Sequence, residues 1–181
     1  DTIKLAVRIV TNDSVVITAA VPPSFNFVLS GNSDTFTGNL SASAVTYTNG
    51  ITATVNTNAK NGWIAWIRGA NTGLSSAAVS KTIAATTPGT VTTLAAGTEG
   101  YAVGITAITQ GGGAGTTTPA TAYNAQTTAD GSGIDTTLRQ LASSTGTAQN
   151  AVMTVKAGAA ISALTPAAAD YTDTMTIIGA A

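Results

Sequence analysis

Apolar and polar residues alternate along much of this chain, and a period of two is the pattern of a β-strand with one buried face. The alternation is clearest in residues 2–10, where four aliphatic side chains share one face: Ile3, Leu5, Val7 and Ile9. Few segments of the chain show the helical spacing of apolar residues. The pattern therefore favours a chain built from strands.

Turn residues separate further segments of this kind. We predict strands over residues 15–21, 25–29, 45–48, 51–55, 63–68, 101–109, 151–157 and 171–178, with loops and one or two short strands over 71–100. Asn49-Gly50 favours a two-residue hairpin turn between its flanking strands. Residues 63–68 are apolar on both faces, which predicts a central strand covered on both sides, with Trp63 in the core.

This succession of strands predicts an all-β fold, an antiparallel β-sandwich of the Ig-like or jelly-roll Greek-key type. A chain of 181 residues is long enough to bury a core without disulfides or a metal ion. We assign residues 11–181 to a single sandwich domain. Residues 1–10 are a separate N-terminal strand.

The side chains that most enzymes need are scarce. The chain has no His, no Cys and a single Glu, Glu99, although these residue types supply most proton transfer and nucleophilic attack near neutral pH. We therefore predict no enzyme, no catalytic residue, no cofactor and no bound metal. Seven scattered basic residues argue against nucleic acid as a partner. No apolar run is long enough to span a membrane.

Two loops carry oxygen ligands of the kind that Ca²⁺ prefers, at Asn32–Asp34 and Asp130–Asp135. Neither matches an EF-hand, and polar turns with Asx hydrogen bonds explain both.

Asn12 and Asn39 begin Asn-x-Ser sequons and are candidate glycosylation sites. Trp66 lies on the opposite strand face from Trp63, so it is a candidate contact for a partner subunit or a sugar.

The composition predicts a protein that lies outside the cell or on its surface and associates with copies of itself. Only 8% of residues are charged, whereas 35 are Thr and 34 are Ala. Low charge weakens the repulsion between copies. The sequence starts at Asp1 rather than Met, which is typical of a mature chain after signal-peptide removal. We expect an extracellular or cell-surface location.

Residues 163–177 combine a small-residue turn, Tyr171 and a strand in which Thr alternates with apolar residues. This segment resembles the C-terminal part of secreted bacterial pilins of the chaperone–usher type and of spore-coat-U-like proteins. Pro22-Pro23 before an aromatic strand, Asn-Gly pairs and Ala/Thr/Gly richness are similar in style. Camelysin-like matrix fibre proteins are a second similar group. The resemblance implies a sandwich fold and assembly by strand donation between subunits.

The apolar face of residues 1–10 independently suits donation, because a terminal strand of this kind is costly to leave exposed. We predict a homopolymeric structural subunit of an extracellular filament, pilus or surface layer, with Ile3, Leu5, Val7 and Ile9 as donor residues. The acceptor groove is predicted to include Phe25, Phe27, Met175 and Ile177. Two alternatives stay open. Residues 2–10 pair within their own sandwich, or the chain is a secreted carbohydrate-binding or adhesin module that uses Trp66, Tyr47 or Tyr123.

Overall fold

The computed structural model describes residues 1–6, 14–126 and 131–181. These residues form eleven strands and one short 3-10 helix at Thr121–Tyr123. The strands are β1 (Phe25–Leu29), β2 (Thr46–Tyr47), β3 (Ile51–Thr57), β4 (Trp63–Gly69), β5 (Gly73–Ser76), β6 (Lys81–Ala84), β7 (Gly100–Gly112), β8 (Thr118–Pro119), β9 (Arg139–Ser144), β10 (Ala148–Ala160) and β11 (Met175–Ala180). All strand pairs within the sheets are antiparallel. The predicted all-β antiparallel fold is confirmed.

Two sheets form the body. The first has the order β1–β3–β10–β7, with β2 continuing the line of β3 beside β10. The second has the order β11–β4–β9–β8, and β5 and β6 form a separate hairpin. Inward side chains of both sheets belong to one hydrophobic cluster, as in a sandwich. Trp63 is 1% exposed in that cluster, which confirms its predicted core position.

Strand β4 is central, between β11 and β9, but only one of its faces is covered. Its inward residues are buried, whereas Ile64 and Arg68 are exposed and Trp66 is half-buried. The prediction of a strand covered on both sides was wrong. The apolar residues of the outer face caused the error, because surfaces regularly carry apolar side chains.

Asn49-Gly50 does not form the predicted hairpin. Strands β2 and β3 run in the same direction beside β10, with Tyr47 opposite Gly158 and Ile51 opposite Val155. Between these two pairs, residues 48–50 lie opposite only two residues of β10, 156 and 157. The extra residue makes this a β-bulge. Gly50 has φ 97°, so the same conformational freedom that suits a type I′ turn is used here to absorb an extra residue.

Replacing Gly50 by Ala is expected to destabilise the protein, because a side chain at this positive φ costs about 1–2 kcal/mol. A Cβ there would also lie 2.9 Å from Cγ of Lys156. Gly38→Ala is the matched control, since nothing lies within 4 Å of its added Cβ and we expect a change within about 0.5 kcal/mol. Urea unfolding of both variants measures the difference, and equal effects would contradict the bulge assignment.

The described N-terminal residues lie outside the sandwich. The strand predicted over 15–21 is wrong, because residues 14–24 contain no strand and their side chains are exposed. Residues 1–6 are also exposed and pair with no strand among the described residues. Ile3 is 90% exposed and Leu5 is 83% exposed. Val7, Ile9 and Asn12 lie outside the described residues. A segment with alternating apolar residues forms a strand only where the edge of another strand is available for pairing.

Candidate functional site

One side of the sandwich is formed by β1 from the first sheet and β11 from the second. Within the described part of the chain, β1 pairs only with β3, and β11 only with β4. The Ser30 N–H donates to the Thr52 carbonyl at 2.8 Å, so antiparallel alternation directs the main-chain groups of Phe25, Phe27 and Leu29 away from β3. This edge can therefore accept another strand.

Phe25 and Phe27 close one end of the gap between the two sheets. Their rings are stacked with centroids 6.5 Å apart and planes at 14°. A Cβ on Gly179 of β11 would lie 2.8 Å from Cδ2 of Phe27 and 3.0 Å from Cζ of Phe25, so glycine permits this close contact. The two Phe residues predicted for the acceptor groove cover β11 and line neither of the cavities beyond them.

Past Leu29 the gap opens into a first cavity of about 530 Å³. Its walls are residues 31–36 on one side and residues 171–177 on the other. Met175 and Ile177, both predicted for the acceptor groove, line it. The hydrophobic core supplies the floor through Ile51, Leu74, Tyr101 and Ala157.

A second cavity of about 700 Å³ follows the first. Its lining comes from residues 38–40, from Ile83 and Ile161, and from residues 165–169. Phe36 and Tyr171 line both cavities, so the two cavities are neighbours, and we name them together the edge groove.

The bulge at Asn49-Gly50 holds one wall of the groove in place. The Asp34 carboxylate accepts hydrogen bonds from the Gly50 N–H at 3.0 and 3.1 Å and from the Thr35 N–H at 2.9 Å. The Asn49 amide donates to the Thr35 carbonyl at 3.2 Å. The loop that carries Phe36 is thus fixed both by these side-chain hydrogen bonds and by main-chain pairing. Phe36 forms an antiparallel bridge with Thr48, and the Thr37 N–H donates to the Tyr47 carbonyl at 2.9 Å.

The opposite wall is fixed in a similar way. The Tyr171 hydroxyl donates to the Pro166 carbonyl at 2.9 Å, and the Thr165 hydroxyl donates to Glu99 at 2.6 Å. Glu99 also pairs with Lys81 at 2.8 Å, and hydrogen bonds from Lys81 and Thr165 lower its pKa. This wall belongs to residues 163–177.

Asp173 places a poorly satisfied carboxylate in the first cavity. Its Oδ1 accepts from the N–H groups of Thr174 at 2.8 Å and Asn71 at 3.1 Å. Its Oδ2 is buried and has no hydrogen-bond partner among the described residues. Burial raises the pKa of Asp173. Burial, followed by the negative charges of Asp173 and Asp34, raises the pKa of Tyr101 on the floor. The carboxylates of Asp34 and Asp173 make the lining of the first cavity acidic.

Replacing Asp173 by Asn is expected to flatten the pH dependence of stability in mild acid. The folded protein binds the Asp173 proton more tightly than the unfolded chain, whose ordinary pKa is 3.8. The free energy of unfolding should therefore fall as pH rises from that value through the raised pKa. Asn does not ionise, so the variant should lack this fall.

Urea unfolding at a series of pH values measures this effect, with Glu99→Gln as the control of opposite sign. Hydrogen bonds lower the pKa of Glu99, so its stabilisation is present above the ordinary value of 4.5 and is lost as pH falls through the lowered pKa. An unchanged pH profile in the Asp173 variant would show that its ionisation does not destabilise the fold.

The aromatic residues considered for sugar binding are not brought together. Trp66 lies on the outer face of the second sheet, between Ile178 of β11 and Gln140 of β9. Tyr47 belongs to β2 in the other sheet and is partly exposed. Tyr123 is buried in the core and offers no surface for a ligand. Only Trp66 stays a candidate sugar contact on this face.

The candidate calcium loops are occupied by internal contacts. Asp135 accepts from Arg139 and from the Thr137 N–H, both at 2.9 Å, which is an Asx turn with an ion pair. Asp34 accepts hydrogen bonds from the Gly50 N–H in the bulge. Asp130 lies outside the described residues. Residues 1–6, 14–126 and 131–181 contain no group of three or more potential metal ligands. The sequon residue Asn39 is exposed at the wall of the second cavity.

No helix in the described ranges has the length and apolar character needed to cross a membrane. Comparisons of the chain with protein-family models, with curated proteins and with solved structures found no match.

Proposed function

We propose that this chain is a structural subunit of an extracellular filament, pilus or surface layer, and that its copies assemble by donor-strand complementation. In this mechanism residues 1–10 of one copy enter the edge groove of the next. One observation supports the proposal most strongly: a single chain carries both an exposed apolar segment and an open groove lined by apolar side chains.

The donor side of the proposal rests on the exposure of Ile3 and Leu5. Together with Val7 and Ile9 they form one apolar face in an extended segment. Burying these side chains contributes roughly 1.5–3 kcal/mol each, on the order of 6–12 kcal/mol in total before ordering costs. This is enough to drive association of subunits.

The acceptor side rests on the unpaired edges of β1 and β11. A strand placed between them gains main-chain hydrogen bonds from an edge and side-chain contacts from the cavity, which is the usual form of strand addition. Donor and groove are different surfaces of the chain. The contact is therefore head-to-tail, and such contacts build open polymers unless a rotation closes them into a ring.

An extracellular location is supported by composition. With 8% charged residues, this surface relies on Thr, Ser, Asn and Gly for solubility. The scarcity of charge also lowers the electrostatic cost of packing many identical copies.

Negative-stain electron microscopy of the native material tests the proposal. We expect filaments or sheets that persist after heating in detergent, because interlocked strands dissociate slowly. Uniform single particles at high protein concentration, with residues 1–10 intact, would contradict it.

A carbohydrate-binding module is the second candidate, and the position of Trp66 favours it. Trp66 is half-buried on a sheet face and lies opposite Gln140 of the neighbouring strand, and an aromatic side chain next to a polar residue suits a sugar. Binding on a glycan array that is lost in Trp66→Ala, with assembly unchanged, would support this function. Unchanged array binding in that variant would exclude it.

A further inference from the structure

The N-terminal segment carries a second apolar tract that the proposed donor does not use. Val15, Ile17 and Val21 occupy alternate positions and are 84%, 90% and 82% exposed. We infer that this second tract (residues 14–21) fills the second cavity of the neighbouring copy, while residues 1–10 of the same donor fill the first. The inference rests on the proposed function and extends it to a bipartite donor.

The charges of the two cavities match the charges of the two tracts. The first cavity is lined by the acids Asp34 and Asp173 and by no basic residue, and the first tract carries two basic residues, Lys4 and Arg8, against one acid, Asp1. Lys4 and Arg8 lie on the strand face opposite Ile3 and Leu5, so the match is one of overall charge rather than of contacts inside the cavity. The second cavity has no charged residue in its lining, and residues 14–21 contain none either. Each tract therefore suits one cavity better than the other.

The order of the tracts also matches the shape of the groove. The two cavities meet at Phe36 and Tyr171. The two tracts are separated by the polar residues Thr11, Asn12 and Asp13. An extended chain that places its first tract in the first cavity would carry these polar residues past Phe36 and Tyr171 and bring its second tract to the second cavity.

The point at which the segment leaves its own body supports the same arrangement. The Asn58 amide donates to the Pro22 carbonyl at 3.0 Å and its oxygen accepts from the Ser24 N–H at 2.7 Å. Residues 14–21 directly precede this attachment. When residues 1–10 are inserted in a neighbour, the second tract must lie at the junction of the two subunits, where burial removes its apolar side chains from water.

Disulfide trapping tests the inference, and the absence of native Cys makes every cross-link unambiguous. Ile17→Cys and Leu40→Cys are made in separate batches, mixed, assembled and gently oxidised. Leu40 lines the second cavity, so we expect a disulfide dimer that contains one of each variant. Val28→Cys is the matched control acceptor, because Val28 is exposed on β1 and lines neither cavity. It should cross-link to Ile17→Cys at least about tenfold less.

Negative-stain images of the same mixtures distinguish failure of the bipartite donor from failure of strand donation itself. Filaments without the cross-link to Leu40→Cys would overturn the bipartite donor and leave donation by residues 1–10 standing. An absence of any assembly would overturn both. An intramolecular disulfide in a dilute Ile17→Cys/Leu40→Cys double variant would also overturn the inference, because the second tract would then occupy the groove of its own chain.

A pair of substitutions gives a readout without Cys. Ile17→Ser should raise the critical concentration for assembly by about tenfold, since it removes one buried aliphatic side chain. Val16→Ser, on the opposite face of the tract, should change it less than about twofold. Equal effects of the two substitutions would contradict docking of a single face.

Discussion

Deletion of residues 1–10 should leave a folded protein that no longer assembles. The buried core forms from β1 to β11 without the described part of this segment, so the body should keep its cooperative unfolding. Loss of about 6 kcal/mol or more of apolar burial weakens association by on the order of 10⁴-fold. Sedimentation velocity and negative-stain imaging measure the change, and a monomer is the expected species.

Point substitutions provide the matched control for this deletion. Leu5→Ser removes a side chain of the donor face and should weaken assembly strongly, whereas Ala6→Ser alters the opposite face and should not. A synthetic peptide of residues 1–10 should raise the melting temperature of the shortened protein by mass action. If the deletion unfolds the body in a way that the peptide does not reverse, or leaves assembly intact, residues 1–10 are not the donor.

The second large effect is expected from blocking the groove. Ser33 lies exposed at the wall of the first cavity, so Ser33→Trp places a bulky ring where the donor would enter. This variant can donate but not accept, whereas the protein without residues 1–10 can accept but not donate. Each alone should stay monomeric. Their mixture should form a one-to-one dimer and stop there, because the complex has no remaining pair of donor and open groove.

Size-exclusion chromatography with light scattering distinguishes these species. Val91→Trp is the control, since it adds the same ring on an exposed position outside both cavities and outside β1 and β11, and it should still form polymers. Polymer formation by Ser33→Trp alone, or a mixture that stays monomeric, would place the acceptor site elsewhere.

The strands of the body could be predicted because their burial follows the period of the sequence. The alternating residues of 25–29, 101–109 and 151–157 became β1, β7 and β10 at nearly the expected places. Local pattern could not predict pairing. Asn49-Gly50 became a bulge because a third strand, β10, runs along both flanking segments. Residues 15–21 alternate in the same way but pair with no strand among the described residues of the chain.

The groove was only partly visible in the sequence. Met175 and Ile177 could be placed there because the inward face of the last strand follows from its alternation. The walls could not be placed, since the positions of Asp34 and Tyr171 depend on hydrogen bonds, to Gly50 and Pro166, that hydrophobic alternation does not predict. Asp173 gave a faint signal as an acid within an alternating Thr strand.

A cross-link between Leu5→Cys in one copy and Met175→Cys in another tests strand donation most directly. Leu5 belongs to the proposed donor face, and Met175 lines the first cavity. A protein that carries both substitutions should assemble and, after mild oxidation, give a ladder of covalent multimers on a non-reducing gel. Assembled material that yields no such ladder, or only intramolecular disulfides, would contradict donation of residues 1–10 to a neighbouring subunit.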